Sequence, residues 1–520
     1  MTADTSRMIQ SINPATLEVN AEIQSTAPGD IPGIFEQARA AQRKWAALSI
    51  RKRLDCLMAG KEFLLANTDE YARIITLDNG KTLLESLAAE IYPVLDMYRF
   101  IATDGARALR GAKLNTPIFP IARIESGNVF EPVGVAGIIS PWNYPFAIPM
   151  TQILAALLAG NAVALKPSNL TAWVGDAIGR LFRESGLPDG LLQILQGSGS
   201  ALGNAMMDAR PDKVVFTGSV PVGKQLMARA AENLIPITLE LGGKDPFIVL
   251  PDADIDRAAS AAVWGAFVNA GQTCASVERV YVHNSVAQRF INKVVEKTKA
   301  LRVGNGLEHT TDMGPLISED RITLVEKHVA DARAKGAEIA TGGDRILTFG
   351  GYFYQPTVIL NANHSMECMR EETFGPTLPI MEFSGIDEAV ELANDSDYGL
   401  TASVWTKDAA RAKKIARRIH TGVVTINNCL ITYGFAQAPW GGVKDSGIGR
   451  THSVHGLLEY TSIKNITAHR SMLTHDIWWH PYSEAKYSGL KAAFNALFCE
   501  GMSCKAGGVL SLLKNFKLLK

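Results

Sequence analysis

Two residues of this chain combine a reactive side chain with a sequence setting that suits covalent catalysis. Cys274 lies in a small polar turn, GQTC, ahead of an apolar strand pattern. A thiolate in such a turn can attack a carbonyl carbon, although an isolated cysteine is more often a small buried hydrophobe. Glu240 ends the apolar strand pattern ITLE. Burial there would raise the pKa of its carboxyl group, as a general base requires, whereas an edge glutamate would reach solvent.

Three turns upstream also carry residues of chemical interest. Asn143, in the proline-flanked turn SPWNYP, could donate to a developing oxyanion or simply stabilise the turn. Lys166, in ALKPSN, is expected at the carboxyl end of a strand, where open α/β sheets bind ligands; otherwise it is a surface charge. Gly218 and Gly223, in FTGSVPVGK, suggest a strand–turn–helix that binds phosphate. Their spacing is GxxxxG and not GxGxxG, so this motif is weak on its own.

The elements that must position these residues alternate between strands and helices. Amphipathic helical patterns fill the first ~110 residues, and short apolar strands then alternate with helices from about 133 to 250. This order predicts an α/β fold with a parallel, doubly wound sheet. A second series of strands and helices follows, and we expect the chain to cross between the two near Leu241 to Lys244. The uncharged stretch from Pro132 to Leu165 is long enough for a membrane span. This alternative is disfavoured because prolines and glycines interrupt the stretch.

Composition excludes several classes of protein. The 520 residues include 52 basic and 52 acidic side chains, so the chain lacks the basic excess of a nucleic-acid-binding protein. Its six cysteines form no CxxC pair, which argues against a disulfide framework and a zinc site and favours a reducing compartment. The amino-terminal sequence has no apolar h-region, so we expect no secretory signal and a cytoplasmic protein.

Seven motifs, considered together and in order, resemble those of the aldehyde dehydrogenase superfamily. They are SPWNYP, KPSN, FTGSVPVG, ELGGK, GQTC, EETFGP and PWGGVKDSGIGR, and the resemblance covers about residues 10 to 465. It implies a Rossmann-like dinucleotide-binding domain, an α/β catalytic domain and a small β oligomerisation element. The implied boundaries are 1–112 with 133–242 for NAD(P) binding, 243–459 for catalysis, 113–132 with 460–470 for oligomerisation, and 471–520 for a C-terminal amphipathic extension.

The resemblance also implies an activity, the oxidation of an aldehyde to a carboxylic acid with NAD+ or NADP+. Cys274 would be the nucleophile that forms a thiohemiacetal and then a thioester. Asn143, with the Cys274 backbone N–H, would form the oxyanion hole, and Glu240 would activate the hydrolytic water. CoA-acylating relatives generally lack this glutamate, so the expected product is the free acid. No metal is implied, and the implied cofactor-binding residues are Trp142, Lys166, Ser168, Asn169, Gly218, Ser219, Gly223, Leu241, Glu372 and Phe374.

Individual roles follow from the same resemblance. Trp142, Ser219 and the Gly218 turn match contacts to the pyrophosphate, and Lys166 matches a contact to the adenosine ribose. Glu372 matches the residue that holds the nicotinamide ribose. Phe374 lies beside the nicotinamide in the family, and Asn427 matches a residue near the catalytic centre.

Two departures from the family pattern bear on specificity. Asn169 stands where NAD-preferring members often carry a glutamate, and its neutral side chain would not repel a 2′-phosphate. Residues 146–155, FAIPMTQILA, hold no cation where succinate-semialdehyde dehydrogenases commonly place an arginine. We therefore expect an apolar long-chain or aromatic aldehyde. The alternatives are a succinate-semialdehyde dehydrogenase and a non-catalytic structural relative.

The last fifty residues, from Ser471, lie outside the common family core. They carry six lysines against three acidic residues, and their apolar residues recur at helical spacing, which predicts two amphipathic helices broken by Gly501, Gly507 and Gly508. Three roles remain open for them: packing on the protein's own dimer, a lid over the substrate tunnel, and contact with a membrane surface. A homodimer or homotetramer is expected from the resemblance.

Overall fold

Eighteen strands are present in the computed structural model, which describes residues 8–115, 124–470, 476 and 478–515. The strands are β1 Met8–Ile12, β2 Val19–Gln24, β3 Ala112–Leu114, β4 Ile124–Pro132, β5 Val135–Ile139, β6 Ala162–Lys166, β7 Leu192–Ile194, β8 Lys213–Thr217, β9 Ile237–Glu240, β10 Asp245–Val249, β11 Val277–His283, β12 Glu338–Thr341, β13 Thr357–Leu360, β14 Thr377–Phe383, β15 Thr401–Trp405, β16 Val423–Ile426, β17 Gly447–Ile448 and β18 Thr461–His469.

Helices connect most of these strands. They are α1 Ile31–Ala46, α2 Ile50–Ala66, α3 Thr68–Asn79, α4 Leu83–Glu85, α5 Tyr92–Phe100, α6 Ala106–Ala108, α7 Ala147–Ala159, α8 Ala172–Glu184, α9 Gly199–Asp208, α10 Val220–Glu232, α11 Ile255–Phe267, α12 Asn284–Lys299, α13 Glu319–Ala334, α14 Glu367–Arg370, α15 Ile386–Asn394, α16 Ala409–Ala416, α17 Ser453–Leu458, α18 Glu484–Phe498 and α19 Met502–Asn515. The π-helical turns Ser86–Ile91 and Ile101–Gly105 join α4, α5 and α6.

A six-stranded sheet, ordered β17-β9-β8-β5-β6-β7, corresponds to the doubly wound sheet expected from the sequence. Its strands are parallel except β17, whose Gly447 pairs antiparallel with Glu240. The stretch weighed as a membrane span forms β5, α7 and β6, and every residue of α7 is buried inside the protein. Among the described residues, no helix has the length and apolarity needed to cross a bilayer.

A seven-stranded sheet, ordered β12-β13-β14-β11-β10-β15-β16, follows the first. Its strands are parallel except β12, which pairs antiparallel with β13. The chain passes from the first sheet to the second between Glu240, the last residue of β9, and Asp245, the first of β10. This is the predicted crossover. The carboxyl end of β9 therefore lies at the junction of the two sheets, where Glu240 is held.

The chain divides into two compact units, Met1–Leu109 with Glu131–Ser462 and Arg110–Phe130 with Ile463–Lys520. The second unit contains most of a three-stranded sheet, ordered β18-β4-β3, and the helices α18 and α19. The two helices pack closely at Gly508, where a Cβ atom would lie 2.8 Å from the Ala492 carbonyl oxygen. Both Gly507 and Gly508 lie within α19, so the expectation that they break a helix is wrong.

A disulfide between Cys499 and Cys504 joins the end of α18 to the start of α19. CxxC spacing and a framework of several bridges are the patterns by which a sequence indicates disulfides. A single bridge across a tight helix–helix turn is neither. Cys56, Cys274, Cys368 and Cys429 are free thiols.

Candidate active site

Cys274 lies in a loop whose backbone is held in an unusual conformation. Three consecutive residues before it, Asn269, Ala270 and Gly271, have φ values of 53°, 54° and 74°. Residues other than glycine seldom adopt this left-handed region of the backbone. The conformation is strained, and it persists only where neighbouring contacts enforce it. Here the Glu85 carboxylate accepts from the Asn269 backbone N–H at 2.7 Å. The loop that carries the thiol is thus fixed from its amino-terminal side.

Asn143 lies against this loop, in the turn between β5 and α7. Its Nδ2 donates to the Gln272 carbonyl oxygen at 3.0 Å, and its own carbonyl oxygen accepts from Asn269 Nδ2 at 2.9 Å. An amide NH2 group has two hydrogens, so one is engaged with Gln272 and the second remains for another acceptor. The structure thus brings Asn143 to the loop of Cys274.

Glu240 is buried at the end of β9, and only 5% of its surface is exposed. Neither carboxyl oxygen has a hydrogen-bond partner among the described residues. Burial raises the pKa of this carboxyl group well above its ordinary value, and the charge of the Arg450 guanidinium offsets only part of the effect. An unpartnered buried carboxylate is costly, so the group is poised to take up a proton.

Burial also raises the pKa of the Cys274 thiol, and the nearby Glu372, Asp245 and Glu240 carboxylates raise it further. The thiol is therefore neutral in this arrangement and must lose its proton before or during attack. Glu240 ends a strand of the first sheet and Cys274 precedes a strand of the second, yet the two side chains lie near each other. Among the described residues, no cluster of histidine, cysteine, aspartate and glutamate is arranged to bind a metal ion.

The glycine-rich turn after β8 forms a cradle suited to a phosphate. A Cβ atom at Gly218 would lie 2.5 Å from the Phe216 ring, and one at Gly223 would lie 2.6 Å from the Leu241 side chain. Ser219 is the N-cap residue of α10, and its side chain makes no capping hydrogen bond. Pro221 has no backbone N–H, so Val220 and Val222 are the residues of the first turn of α10 whose N–H groups could bind an anion, with the positive end of the helix dipole behind them.

Lys166 ends β6 and is 4% exposed. Among the described residues, its Nζ has a single hydrogen bond, to Asn169 Oδ1 at 3.4 Å, and no carboxylate partner. Burial lowers the pKa of its ammonium group to about 8. Ser168 caps the next turn, with its Oγ accepting from the Leu170 N–H at 3.2 Å. A buried ammonium group without a counterion fits the hydroxyl or phosphate oxygens of a dinucleotide.

Glu372, Phe374 and Trp142 meet on another side of the thiol. Glu372 Oε1 accepts from the Gly243 N–H at 3.0 Å, and burial raises the pKa of Glu372 to about 8. A Cβ atom at Gly242 would lie 2.7 Å from the same carboxylate, so the backbone must approach closely here. The Trp142 and Phe374 rings pack edge to face with centroids 5.3 Å apart. A buried carboxylate suits the hydroxyl groups of a ribose, and the two aromatic rings offer a surface for an attached ring.

Asn427 follows β16 and has a φ value of 54°. Its side-chain amide makes two hydrogen bonds to the backbone of Thr406: Oδ1 accepts from the N–H at 3.0 Å and Nδ2 donates to the carbonyl at 2.9 Å. These bonds stabilise the turn after β16. Leu430, a few residues further on, reaches the cavity beside the thiol.

Sequence reasoning missed the ion pair that supports the Asn143 turn. Lys81 and Glu90 are fully buried and lie 2.5 Å apart. Lys81 Nζ also donates to the Asn143 carbonyl oxygen at 2.8 Å, and Glu90 accepts from the Ala147 N–H at 2.7 Å. No local pattern marks these residues, because a charged residue beside a helix is usually solvated. Their burial depends on the packing of the segment 81–91 under the turn.

An apolar cavity of about 540 Å³ opens beside Cys274. Glu85 is its only charged lining residue among those described, and that carboxylate is already bonded to backbone N–H groups of Thr82 and Asn269. The described lining residues include no arginine or lysine. The lining is mainly aliphatic and aromatic and includes Leu84, Tyr92, Pro93, Tyr144, Ile148, Trp264, Val268, Leu430, Ile431, Tyr433, Phe435 and Trp440.

An α/β chain that sets a thiol between a dinucleotide-type turn and an apolar cavity falls in the class of nucleotide-dependent dehydrogenases. More narrowly, the chain belongs to the aldehyde dehydrogenase family, which matches it over residues 1–466. It is similar to a 4,4′-diapolycopene aldehyde oxidase of Methylomonas sp, with 40% identity over 96% of this chain and 93% of that protein. It is also similar to a putative succinate-semialdehyde dehydrogenase [NADP(+)] of Mycolicibacterium smegmatis, with 37% identity over 85% of each chain.

Solved structures show the same fold. An NADP-dependent enzyme of E. coli superposes with a TM-score of 0.86 and 33% identity, covering 90% of this chain and 96% of that one. A betaine aldehyde dehydrogenase of Staphylococcus aureus in complex with NAD+ gives a TM-score of 0.86 and 35% identity, covering 92% and 95%. The predicted family, α/β fold class and use of NAD+ or NADP+ are confirmed. This protein is an NAD(P)+-dependent aldehyde dehydrogenase, which sets aside the non-catalytic alternative.

Proposed function

We propose that this enzyme oxidises an apolar, long-chain aldehyde to the free carboxylic acid through a thioester on Cys274. The observation that carries this proposal is the cavity beside the thiol, which is large, apolar and free of lysine and arginine among its described lining residues. Burial of apolar substrate surface would provide most of the binding energy there. The similarity to an oxidase of 4,4′-diapolycopene aldehyde supports the same substrate class.

The residues around the thiol suit each step of that reaction. The Cys274 thiol gives its proton to solvent, Sγ bonds to the aldehyde carbon as the C=O π bond opens, and the free hydrogen of the Asn143 amide stabilises the oxygen as it gains negative charge. When bound, the oxidised nicotinamide supplies the acceptor for the hydride that leaves the aldehyde carbon. A thioester then remains on Cys274. Glu240 takes a proton from water, which attacks this thioester, the C–S bond breaks, and the acid leaves.

The cofactor would be held by the residues of the surrounding loops. The Gly218 turn, Ser219 and the α10 N-terminus would bind phosphate oxygens, with Gly223 and Leu241 setting the distance between helix and strand. Lys166, Ser168 and Asn169 would face the adenosine end. Trp142 would contact the pyrophosphate, and Glu372 and Phe374 would face the nicotinamide end. The domain that binds the dinucleotide would comprise residues 1–112 with 133–242. The domain that supplies the nucleophile would comprise residues 243–459.

A succinate-semialdehyde dehydrogenase is the competing proposal, supported by the similarity to putative enzymes of that name. It would need a cation for the distal carboxylate, and the described lining of the cavity contains none. A panel of hexanal, octadecanal, benzaldehyde and succinate semialdehyde with each cofactor, followed at 340 nm, distinguishes the two. We expect octadecanal to have the highest kcat/KM; a preference for succinate semialdehyde would refute the apolar substrate.

We further propose that the extension makes peripheral contact with an anionic membrane. Large apolar side chains of this segment stay exposed, including Trp479, Tyr487, Phe498 and Leu513, and four lysines lie among the described residues. Aromatic and basic residues together are typical of interfacial helices. Co-flotation of the enzyme with vesicles rich in phosphatidylserine, lost at high salt, would support the proposal. Failure to float at low salt would refute it.

We also propose that the enzyme is a homodimer or homotetramer. Strand β18 lies at the edge of its three-stranded sheet, and its Ile463 and Ile466 side chains are 63% and 57% exposed. A long exposed edge strand is a template for pairing with another chain. Sedimentation of the full chain should give two or four subunits, and Ile463→Lys with Ile466→Lys should lower that number. A monomeric wild type would refute this assembly.

A further inference from the structure

A second groove, of about 590 Å³, lies beside the cavity that contains the thiol. Its walls come from α4, α11, the end of α12 and the segment 301–312. The two spaces share four lining residues, Leu84, Glu85, Trp264 and Val268. The groove therefore adjoins the substrate cavity along these shared side chains.

The boundary between the two spaces has an unusual composition for a surface. Leu84 is 74% exposed and Trp264 is 51% exposed. The Glu85 carboxylate also lines both spaces, and it accepts from the backbone N–H groups of Thr82 and Asn269. Beyond this boundary the groove is lined by the apolar side chains of Val263, Phe267 and Leu301 and also by charged side chains, among them Lys297, Arg302, Glu308 and Asp312. Leu84 and Trp264 are the exposed apolar side chains at which an apolar chain leaving the Cys274 cavity would enter the groove.

We propose that this groove is a second substrate subsite, which binds the distal part of an apolar aldehyde too long for the Cys274 cavity. The inference rests on the proposed function, because it extends the same substrate. Burial of each further methylene raises affinity about fourfold, so a chain that crosses the boundary gains more than one that stops at it. Ordinary ligand sites are of the size of either space alone, and together they would hold a much longer molecule.

Ser260 offers a way to fill the groove without touching the thiol cavity. It is exposed on α11, one turn before Trp264, and it lines the groove only. Ser260→Trp should lower kcat/KM for octadecanal at least tenfold and change it less than twofold for hexanal. Ser260→Ala is the matched control and should leave both values unchanged. Leu301→Asn, in the segment 301–312, should reproduce the selective loss, and thermal melting would check that each variant is folded.

Three results would overturn the subsite. Equal effects of Ser260→Trp on both substrates would mean that it acts on the thiol cavity, and no effect on either would mean that the groove is not used. A change in subunit number would show that the groove is an interface between copies of the chain. The proposed function fails separately, if the wild type itself does not prefer octadecanal to hexanal and succinate semialdehyde.

Discussion

Asn143 donates its amide hydrogen bond to the carbonyl oxygen of Gln272, 3.0 Å away, and so ties one catalytic loop to the other. The bond joins the turn after β5 to the loop that carries the nucleophile two residues later. This bond uses one amide hydrogen and fixes the orientation of the planar amide group. The second amide hydrogen therefore keeps a fixed direction without any movement of the protein. Such fixed donors stabilise a transition state best, since they need no reorganisation.

Removal of this donor should slow the chemical step. We expect Asn143→Ala to lower kcat by about 10²- to 10³-fold, as for other single oxyanion donors. The matched control is Asn169→Ala, which removes the same group at the other end of the site and should leave kcat within a few-fold of wild type. Steady-state kinetics with a saturating apolar aldehyde would measure both. An undiminished kcat in Asn143→Ala would contradict the proposed role.

The raised pKa of Glu240 predicts how deacylation depends on pH. A general base must be unprotonated, and burial favours the neutral carboxyl group. The hydrolysis rate of the acyl-enzyme should therefore be low at acid pH and rise through the raised pKa, which lies well above the ordinary value. Rapid mixing of pre-formed acyl-enzyme into buffers from about pH 5 to about pH 9 would show this rise. A rate independent of pH over this interval would argue against Glu240 as the base.

The buried pair of Lys81 and Glu90 should be important for stability as well as geometry. Lys81→Met leaves the Glu90 carboxylate without its cation and removes the donor to the Asn143 carbonyl oxygen. Loss of one partner of a buried pair costs about 3–5 kcal/mol, so the melting temperature should fall by several degrees. The double variant Lys81→Met, Glu90→Gln should recover part of this loss. If the single variant melted like the wild type, the pair would not support the turn.

Cofactor choice should respond to the residue beside Lys166. Asn169 is neutral and its Oδ1 accepts from Lys166 Nζ at 3.4 Å. In Asn169→Glu the new carboxylate would repel a 2′-phosphate and could accept from a 2′-hydroxyl, so kcat/KM should fall at least tenfold with NADP+ and not with NAD+. Asn169→Gln controls for side-chain length. Equal changes with both cofactors would refute this contribution.

The sequence predicted the sheets and most of the catalytic loops because each depends on local patterns. Apolar runs of strand length gave β5 to β9, and turns with proline and glycine located Asn143, Gly218 and Cys274. The structure then placed Asn143 against the Cys274 loop, although Asn143 follows a strand of the first sheet and Cys274 precedes a strand of the second. The raised pKa of Glu240 was one of the two alternatives that the sequence left open, because an acid at the end of an apolar strand is either buried or reaches solvent at an edge.

What the sequence did not predict depends on contacts between distant segments. The Lys81–Glu90 pair and the Glu85 bond to Asn269 form only when residues 81–91 pack beneath two loops that follow much later in the chain. The close approach at Gly508 and the Cys499–Cys504 bridge depend on how two helices meet. The apolar groove beside Trp264 likewise requires α4 and α11 to lie side by side.

The most direct test of a hydrolytic mechanism on Cys274 is rapid-quench mass measurement of Glu240→Gln after mixing with an apolar aldehyde and NAD(P)+. We predict a burst of about one NAD(P)H per active site, a slow steady state, and an acyl group that is found on the peptide containing Cys274. Cys274→Ala should give neither burst nor acyl group. Full steady turnover by Glu240→Gln without an acylated cysteine would contradict the mechanism.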